Sequence, residues 1–197
     1  LSHGWQAMLT VVSPGDFTGD GASDLLATDA DGVMWLYRAN DGGYVRDGAV
    51  GSGWRIMKAL AYEGAQPDGV RVHPGGLGDI DGGGAGDVLA VTDTGALTAY
   101  TGNGRGGFAG QLSVGKVAGG DRVFPLGDFT GDGLRDLGVI GADGVFVLRS
   151  GKADGIFTDG AAVGQGWTVL SPVLGGIDFD GDRRLDVLAR DAAGDLL

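Results

Sequence analysis

The segment GDFTGDGLRDLGVIGADG, residues 127–144, carries aspartates at positions 128, 132 and 136 and then becomes apolar at once. Neighbouring carboxylates raise one another's pKa, so an isolated loop of this composition repels itself. The pattern occurs three more times, as GDFTGDGASDLLATDADG from Gly15, GDIDGGGAGDVLAVTDTG from Gly78 and IDFDGDRRLDVLARDAAG from Ile177. A repeated acidic loop before an apolar run predicts a bound counter-charge on a repeated architecture.

The composition favours short strands joined by tight turns. The chain has 197 residues, 43% of them apolar, which is enough to bury a core. Its 43 glycines far exceed the usual share of roughly 7%. A glycine inside a helix costs about 1 kcal/mol relative to alanine, whereas turns favour glycine. Long helices are therefore not expected.

The charge distribution excludes several classes of partner. A net charge of −12 disfavours nucleic acid and anionic membranes. No apolar stretch approaches the roughly 18 residues of a membrane span. The absence of cysteine excludes disulfides and thiol catalysis. Half of the 26 acidic residues lie in four nine-residue windows, which we call the first to fourth Asp loops: 16–24, 79–87, 128–136 and 178–186.

The Asp loops belong to a repeat with a fixed register. Their first aspartates are separated by 63, 49 and 50 residues, and a period near 50 indicates a solenoid, propeller or array. Each loop is followed at a constant spacing by a glycine: Gly32, Gly95, Gly144 and Gly194. Each is preceded by Trp5, Trp54, Val117 or Trp167, once an insertion near 62–75 is allowed for. The predicted repeats are 6–54, 55–117, 118–167 and an incomplete 168–197.

Each repeat reads as four strands. Short apolar runs such as DLLAT, DVLAVT, DLGVI and DVLAR follow the Asp loops, and their near-continuous apolarity suits strands covered on both faces. Glycine-containing turns then lead to VMWLYR, ALTAYT and VFVLRS, which is a hairpin signal. Four strands per 50 residues predict an all-β fold, a β-propeller of four-stranded antiparallel blades built from about four repeats.

Within the first, third and fourth Asp loops, oxygen-bearing side chains fall at positions 1, 3, 5 and 9. Hard oxygen ligands around a tight turn favour Ca²⁺ over zinc or copper, and Mg²⁺ fits less well because it demands octahedral geometry. The backbone carbonyl at position 7 can add a ligand. Three calcium sites are predicted, with these ligands: Asp16, Thr18, Asp20, Ala22 and Asp24; Asp128, Thr130, Asp132, Leu134 and Asp136; Asp178, Asp180, Asp182, Arg184 and Asp186.

The second Asp loop departs from this pattern. Position 5 is Gly83, so a fourth, degenerate site is predicted from Asp79, Asp81, Ala85 and Asp87. An EF-hand starts similarly but requires a glutamate at position 12 and flanking helices, whereas position 12 here lies in a strand. The alternative to a metal site is an Asp-rich turn, since Asp and Gly are common in turns. Three loops with the same ligand positions favour the metal.

With their strand context, the loops resemble FG-GAP/VCBS repeats, the calcium-binding blades of integrin α-subunit propellers and of many secreted bacterial proteins. The resemblance covers the whole chain, and D-x-[DT]-G-D-G-x-x-D before an apolar strand is fairly specific. It implies that the loop joins the first two strands of a blade and binds Ca²⁺ through the positions given above. It also implies a role in adhesion, ligand binding or attachment to a catalytic partner. Gly83, Val117 and the insertion depart from the pattern.

Catalytic signals are weak. The chain has two histidines, His3 and His73, each alone in the sequence, which gives poor support for a Ser-His-Asp site. Carboxylate pairs for glycoside hydrolysis are better explained as metal ligands. The glycine-rich segment 102–107 lacks the lysine and the helix of a phosphate loop, so it predicts a hairpin turn.

The function expected from the sequence is a non-catalytic, secreted, calcium-binding module for binding or scaffolding, accessory to a secreted hydrolase. Its protein or glycan ligand is not identified by the sequence. The runner-up is a carbohydrate-binding propeller, in which aromatic faces bind sugars; a catalytic domain ranks third. The aromatic candidates for sugar stacking are Trp35, Tyr37, Tyr44 and Tyr100, whereas Trp5, Trp54 and Trp167 recur in register and favour a structural role.

The ends of the sequence predict an unfinished ring. The segment LSHGW matches the end of an outer strand, as in VGSGW and VGQGW, and the fourth repeat stops soon after its second strand. Propellers close with 4 to 8 blades because open sheets leave unpaired edges. Residues 1–197 are therefore expected to form one propeller or part of one, completed by further repeats or a second chain.

Overall fold

A computed structural model describes residues 5–60 and 79–197 of the chain. The predicted insertion near 62–75 and both histidines lie outside this part. The described residues form an all-β structure without an α-helix, which confirms the predicted class. None of their helical turns is long and apolar enough to cross a membrane.

The strands form four antiparallel sheets, three of four strands and one of two. The first sheet has the order β1-β2-β3-β4, with bounds Met8–Gly15, Asp24–Asp29, Met34–Asn40 and Gly43–Gly51. The second has the order β5-β6-β7-β8, with bounds Met57–Leu60, Val88–Thr92, Ala96–Gly102 and Phe108–Lys116. The third comprises β9 to β12, at Arg122–Gly127, Asp136–Ile140, Phe146–Arg149 and Ala161–Gly164. The fourth pairs β13, Val173–Ile177, with β14, Asp186–Ala189.

The strands coincide with the apolar runs read from the sequence. β2, β6, β10 and β14 are the runs that follow the Asp loops, and every residue of β10 is buried. The alternation of burial along β7 is the period-2 pattern of a strand with two different faces. The glycine-rich segment 102–107 leads from β7 into β8, as its hairpin interpretation predicts.

The described residues fall into two compact units: 5–60, 79–93 and 97–113 belong to the first, and 94–96 and 114–197 belong to the second. The core of the first unit is built from both of its sheets and contains Phe17, Leu26, Met34, Leu36, Trp54, Val88 and Ala90. The core of the second unit contains Phe124, Leu126, Ile140 and Phe146, with Trp167 packed against it.

Three short 3₁₀ turns begin at the repeated tryptophans: Trp5–Ala7, Trp54–Ile56 and Trp167–Val169. Trp54 is buried, with its ring centroid 4.6 Å from that of Tyr100. Trp167 contacts Phe146 at 4.9 Å. Trp5 contacts Tyr37 at 4.6 Å but is only half-buried. Two of the three repeated tryptophans therefore pack in or against a core, and the first has a partly open environment.

Candidate metal centre

The Asp loops occupy equivalent places in the sheets. The first loop connects β1 to β2, the third connects β9 to β10, and the fourth connects β13 to β14. The second loop leads directly into β6. In three of the loops the aspartate at position 9 is the first residue of the following strand. The strand therefore fixes one carboxylate, while the preceding turn must position the others.

The aspartate at position 1 organises the turn by accepting backbone hydrogen bonds. Its Oδ2 accepts the N–H of position 6 in every loop, at 2.9, 2.7, 2.9 and 3.1 Å from the first to the fourth. In the first loop its Oδ1 also accepts the N–H groups of Gly19 and Asp20. This arrangement explains why position 1 is always an aspartate, because a short side chain with two acceptors closes the loop.

The aspartate at position 9 holds the start of the loop. Asp24 Oδ2 accepts the N–H groups of Phe17 at 3.0 Å and Thr18 at 2.9 Å. Asp87 Oδ2 accepts those of Ile80 and Asp81. The equivalent bonds run from Thr130 to Asp136 and from Phe179 to Asp186, each at 2.8 Å. The carboxylates at positions 1 and 9 thus hold each loop through hydrogen bonds from its own backbone.

Positions 4 and 6 of the loops require a left-handed backbone. Position 4 is glycine in all four loops, with φ between 77° and 81°. Position 6 is glycine in the first three loops, with φ between 85° and 89°, and Arg183 in the fourth, with φ of 70°. Arg183 is the sole non-glycine residue with positive φ in the part of the chain that the structure describes. Glycine adopts this region without the Cβ clash that other residues meet.

Carboxylates converge on a common point in two of the loops. Ligand atoms of Asp79, Asp81 and Asp87 lie within 4.8 Å of one another, and so do those of Asp178, Asp180 and Asp186. Among the described residues, the carboxylates of the first and third loops form no such group of three. The loop that the sequence ranks last therefore gathers its carboxylates, and two of the three favoured loops do not.

The residue at position 3 accounts for this difference. The second and fourth loops have an aspartate there, Asp81 and Asp180, whereas the other two have threonine. The aspartate at position 5 is in neither group, and one of its oxygens accepts the backbone N–H of position 7: Asp20 accepts from Ala22, Asp132 from Leu134 and Asp182 from Arg184, at 2.8 to 2.9 Å. Replacement of position 5 by Gly83 thus removes no member of the second group. Ligation by the carbonyls of Ala22, Ala85, Leu134 and Arg184 stays a prediction.

Two buried carboxylate oxygens in the loops are candidate ligands for a cation. Asp24 Oδ1 and Asp128 Oδ1 are inaccessible to solvent and accept no hydrogen bond of ordinary geometry, although the Thr18 hydroxyl lies near enough to Asp24 to oppose the rise in its pKa that burial causes. A buried unpartnered carboxylate oxygen is costly unless a cation approaches it. These oxygens lie in the first and third loops, where three carboxylates do not converge. Oxygen donors of this kind fit a hard divalent cation such as Ca²⁺.

Burial also raises the pKa of several loop carboxyls. It raises the pKa of Asp24, Asp79 and Asp136, and it raises that of Asp87 to about 6. Each of these groups is at most 2% exposed. Removal from water penalises the charged form, so a nearby cation would stabilise the carboxylates that folding disfavours.

The four aromatic residues predicted as candidates for sugar binding have different environments. The indole of Trp35 donates to Asp29 at 2.7 Å and carries the guanidinium of Arg46 over its ring. Tyr37 and Tyr100 are packed against tryptophans. Tyr44 is 37% exposed.

Sequence reasoning did not find a cleft in the first unit. Its volume is about 460 Å³, and it is lined by Trp5 and by the β3–β4 hairpin, residues 40–45. The register of Trp5 identified this residue but not its half-open environment.

A scan against protein-family models and a search of curated proteins gave no match to this chain.

Proposed function

We propose that this chain is a non-catalytic, secreted β-propeller module whose Asp loops bind Ca²⁺, and that it serves as a binding or scaffold region accessory to a secreted hydrolase. The proposal is supported by the recurrence of one loop at one place in successive antiparallel sheets. The resemblance of these loops to FG-GAP/VCBS repeats is part of the proposal.

The observation that carries the calcium assignment is the arrangement of oxygens in the loops. Three carboxylates converge in the second and fourth loops, and an unpartnered buried oxygen lies in the first and third. All are hard donors from a chain with a net charge of −12, so bound Ca²⁺ reduces self-repulsion and offsets the cost of burying carboxylates. Loops exposed along part of their length suit the weak affinities of extracellular modules, on the order of 10⁻⁴–10⁻³ M.

Calorimetry of the chain in chelator, in Ca²⁺ and in Mg²⁺ tests the assignment. At 10 to 100 times the dissociation constant, each site that binds only the folded state adds roughly 1.4 to 2.7 kcal/mol. Unfolding temperatures move by about 2–4 °C per kcal/mol in proteins of this size, so Ca²⁺ should raise the transition by several degrees and Mg²⁺ by much less. An identical transition in chelator and in excess Ca²⁺ would refute the calcium assignment.

Matched variants separate the loops from general charge effects. Asp180→Asn removes one member of the fourth group, whereas Asp154→Asn removes an equal charge from an exposed turn outside the loops. We expect the first to reduce the number of Ca²⁺ ions bound in isothermal titration calorimetry and the second to leave it unchanged. Equal effects of both would mean that calcium responds to total charge alone.

A further inference from the structure

The first unit shows how an Asp loop docks on a neighbouring sheet. The first Asp loop lies against the β7–β8 hairpin, where the N–H of Gly106 donates to the carbonyl oxygen of Phe17 at 3.2 Å. A Cβ atom on Gly19 would lie 2.6 Å from the carbonyl oxygen of Gly104, so loop and hairpin are in direct backbone contact. Phe17, at position 2 of the loop, is fully buried.

The phenyl ring of Phe17 packs against a cluster of aromatic side chains in the second sheet. Its centroid lies 5.3 Å from that of Phe108, which follows the hairpin. Phe108 in turn lies 5.7 Å from Tyr100 and 5.8 Å from Trp54. These residues share one hydrophobic core, and aromatic pairs at such separations contribute beyond the area that they bury. Phe17 therefore packs into an aromatic recess of the second sheet formed by Phe108, Tyr100 and Trp54.

Among the described residues, the first sheet has a similar recess that no phenylalanine fills. Trp5 contacts Tyr37 at 4.6 Å, just as Trp54 contacts Tyr100 at 4.6 Å. Tyr44 follows the β3–β4 hairpin as Phe108 follows the β7–β8 hairpin. Both hairpins are closed by an asparagine, since Asn40 Oδ1 accepts from Gly42 and Asn103 Oδ1 accepts from Arg105 and Gly107. In the first sheet this recess is the open cleft of about 460 Å³.

The fourth Asp loop presents a matching side chain. Phe179 occupies position 2, as Phe17 does, and is 62% exposed. Asp186 holds its N–H at 2.8 Å, as Asp24 holds that of Phe17 at 3.0 Å. The backbone of the fourth loop is thus held by the same hydrogen bond as that of the first loop. Less conformational entropy is therefore lost on binding.

The fourth loop carries arginines at positions 6 and 7 beside its four aspartates, and no other loop has a basic residue at these two positions. The β3–β4 hairpin carries the exposed Asp41, and the fourth loop carries the exposed Arg183 and Arg184 at positions 6 and 7. The other three loops have glycine at position 6 and alanine or leucine at position 7. Complementary charges at the rim of an apolar contact orient the partner and exclude alternatives.

We propose that the cleft formed by Trp5 and the β3–β4 hairpin binds the fourth Asp loop of a second copy of this chain, with Phe179 inserted beside Tyr44. The interface is head-to-tail, since one copy contributes the cleft and the other the loop. Such heterologous contacts form a ring when the rotation closes and an open chain when it does not. The inference rests on apolar contacts and rim charges and does not require Ca²⁺.

Sedimentation equilibrium of the 197-residue chain, from micromolar to near-millimolar concentration, tests this interface. We expect concentration-dependent self-association of the native chain. Phe179→Ala should weaken it about tenfold or more, as is usual for an aromatic anchor in a pocket. Phe129→Ala is the matched control, because Phe129 occupies position 2 of the third loop and is 38% exposed; it should leave association unchanged.

Mixing two variants gives a readout that misfolding cannot imitate. Phe179→Ala disables the loop and Tyr44→Ala disables the cleft, so each should be monomeric alone. Mixed in equal amounts, they should form a 1:1 dimer and nothing larger, because each supplies the surface that the other lacks. Circular dichroism of each variant checks its fold independently.

A reciprocal charge exchange tests the rim. Asp41→Arg and Arg184→Asp should each weaken association, and the double variant should recover it because the two charges are exchanged. A native chain that stays monomeric throughout, a Phe179→Ala variant that associates normally, or a mixture that stays monomeric would each overturn the proposal. So would a glycan array in which a saccharide binds the monomer and Tyr44→Ala abolishes that binding, since the cleft would then be a sugar site.

Running the series in Ca²⁺ and in chelator separates this inference from the proposed function. Association in both conditions, with no calcium effect on the unfolding temperature, would refute the calcium assignment alone. A calcium effect on unfolding in a chain that stays monomeric would refute the interface alone.

Discussion

The backbone N–H of Trp54 donates a hydrogen bond of 3.0 Å to the carbonyl oxygen of Gly32, in the turn between β2 and β3. The same bond joins Val117 to Gly95 at 2.8 Å and Trp167 to Gly144 at 3.0 Å. The glycine that follows an Asp loop at constant spacing is thus hydrogen-bonded to the Trp or Val at the other fixed position of the repeat. Because the bond uses a backbone donor, valine can replace tryptophan at 117 without losing it. The glycines have φ between 78° and 84°.

Replacing Gly32 by alanine tests the importance of this junction. A Cβ atom there would lie 2.9 Å from the backbone nitrogen of Arg55, and the φ of 78° disfavours any residue with a Cβ. We expect Gly32→Ala to destabilise the fold by about 1–3 kcal/mol, which lowers the unfolding temperature by several degrees.

Gly48→Ala is the matched control for this substitution. Gly48 lies in β4 with open space around its Cβ position and without a positive φ. Alanine should therefore be neutral or stabilising by up to about 0.5–1 kcal/mol. Equal losses of stability in the two variants would mean that the Gly32 turn has no special role. Thermal unfolding followed by circular dichroism measures both.

Much of the fold is predictable from the sequence because its signals are local. An aspartate and glycine turn followed by an apolar run defines a loop and the strand after it, and β2, β6, β10 and β14 begin at or directly after the expected aspartates. Hairpins such as 102–107 follow from glycine in the same way. These features depend on residues that are close together in the sequence.

The convergence of the carboxylates is less predictable because it depends on rotamers. An aspartate at position 5 can turn toward the other carboxylates or away from them, and the sequence is identical in both cases. In Asp20, Asp132 and Asp182 one oxygen accepts the N–H of position 7, and Asp182 stays outside the group formed by Asp178, Asp180 and Asp186. The cleft is less predictable still, since it requires Trp5 to meet a hairpin that follows it by more than thirty residues.

Substitution of Asp24 should change the response to calcium more than the stability of the calcium-free protein. Asp24 is 0% exposed and Oδ1 lacks a partner. In Asp24→Asn one oxygen can still accept from Phe17 and Thr18, and a neutral amide is less costly to bury than a carboxylate. In chelator we expect a change within about 1 kcal/mol; in Ca²⁺ the rise in unfolding temperature should shrink.

The control for Asp24 is Asp47→Asn. Asp47 is exposed and pairs with Arg38 at 2.9 Å, and surface pairs of this kind contribute about 0–1 kcal/mol. The calcium-induced shift should be unchanged in this variant. If Asp24→Asn keeps the full shift, Asp24 is not a calcium ligand, and differential scanning calorimetry decides the point.

The stability of the calcium-free protein should fall as the pH rises from about 4 to about 6. Burial raises the pKa of Asp87 to about 6 in the folded state, whereas an unfolded aspartate titrates near about 3.9. Between these values the folded state binds more protons than the unfolded state, so raising the pH favours unfolding. The pKa values of Asp24, Asp79 and Asp136 are raised too and act in the same direction.

Urea unfolding in chelator across this range measures the dependence. Asp87→Asn should flatten the slope, although it also lowers stability because both carboxylate oxygens accept backbone N–H groups, from Ile80 and Gly102. Asp154→Asn, in an exposed turn, should leave the slope unchanged. A slope that is the same in the native protein and in Asp87→Asn would exclude Asp87 as its source.

Arg183→Gly should stabilise the fourth Asp loop. Arg183 has a φ of 70°, where the other loops have glycine, and its N–H donates to Asp178 at 3.1 Å, so the backbone cannot relax without losing that bond. A left-handed residue with a Cβ costs roughly 1–2 kcal/mol, and glycine returns about 0.5–1 kcal/mol of this through the unfolded chain. The expected net gain is therefore about 0.5–1 kcal/mol.

Arg184→Gly supplies the comparison for this last prediction, because it removes the same charge from the next residue, which has no positive φ. There glycine relieves no strain and increases the freedom of the unfolded chain, so a loss of about 0.5–1 kcal/mol is expected. Opposite signs in urea unfolding would locate the strain at position 6 of the loop. If both variants gain or both lose, the effect comes from the removed charge, and the backbone of Arg183 stores no strain.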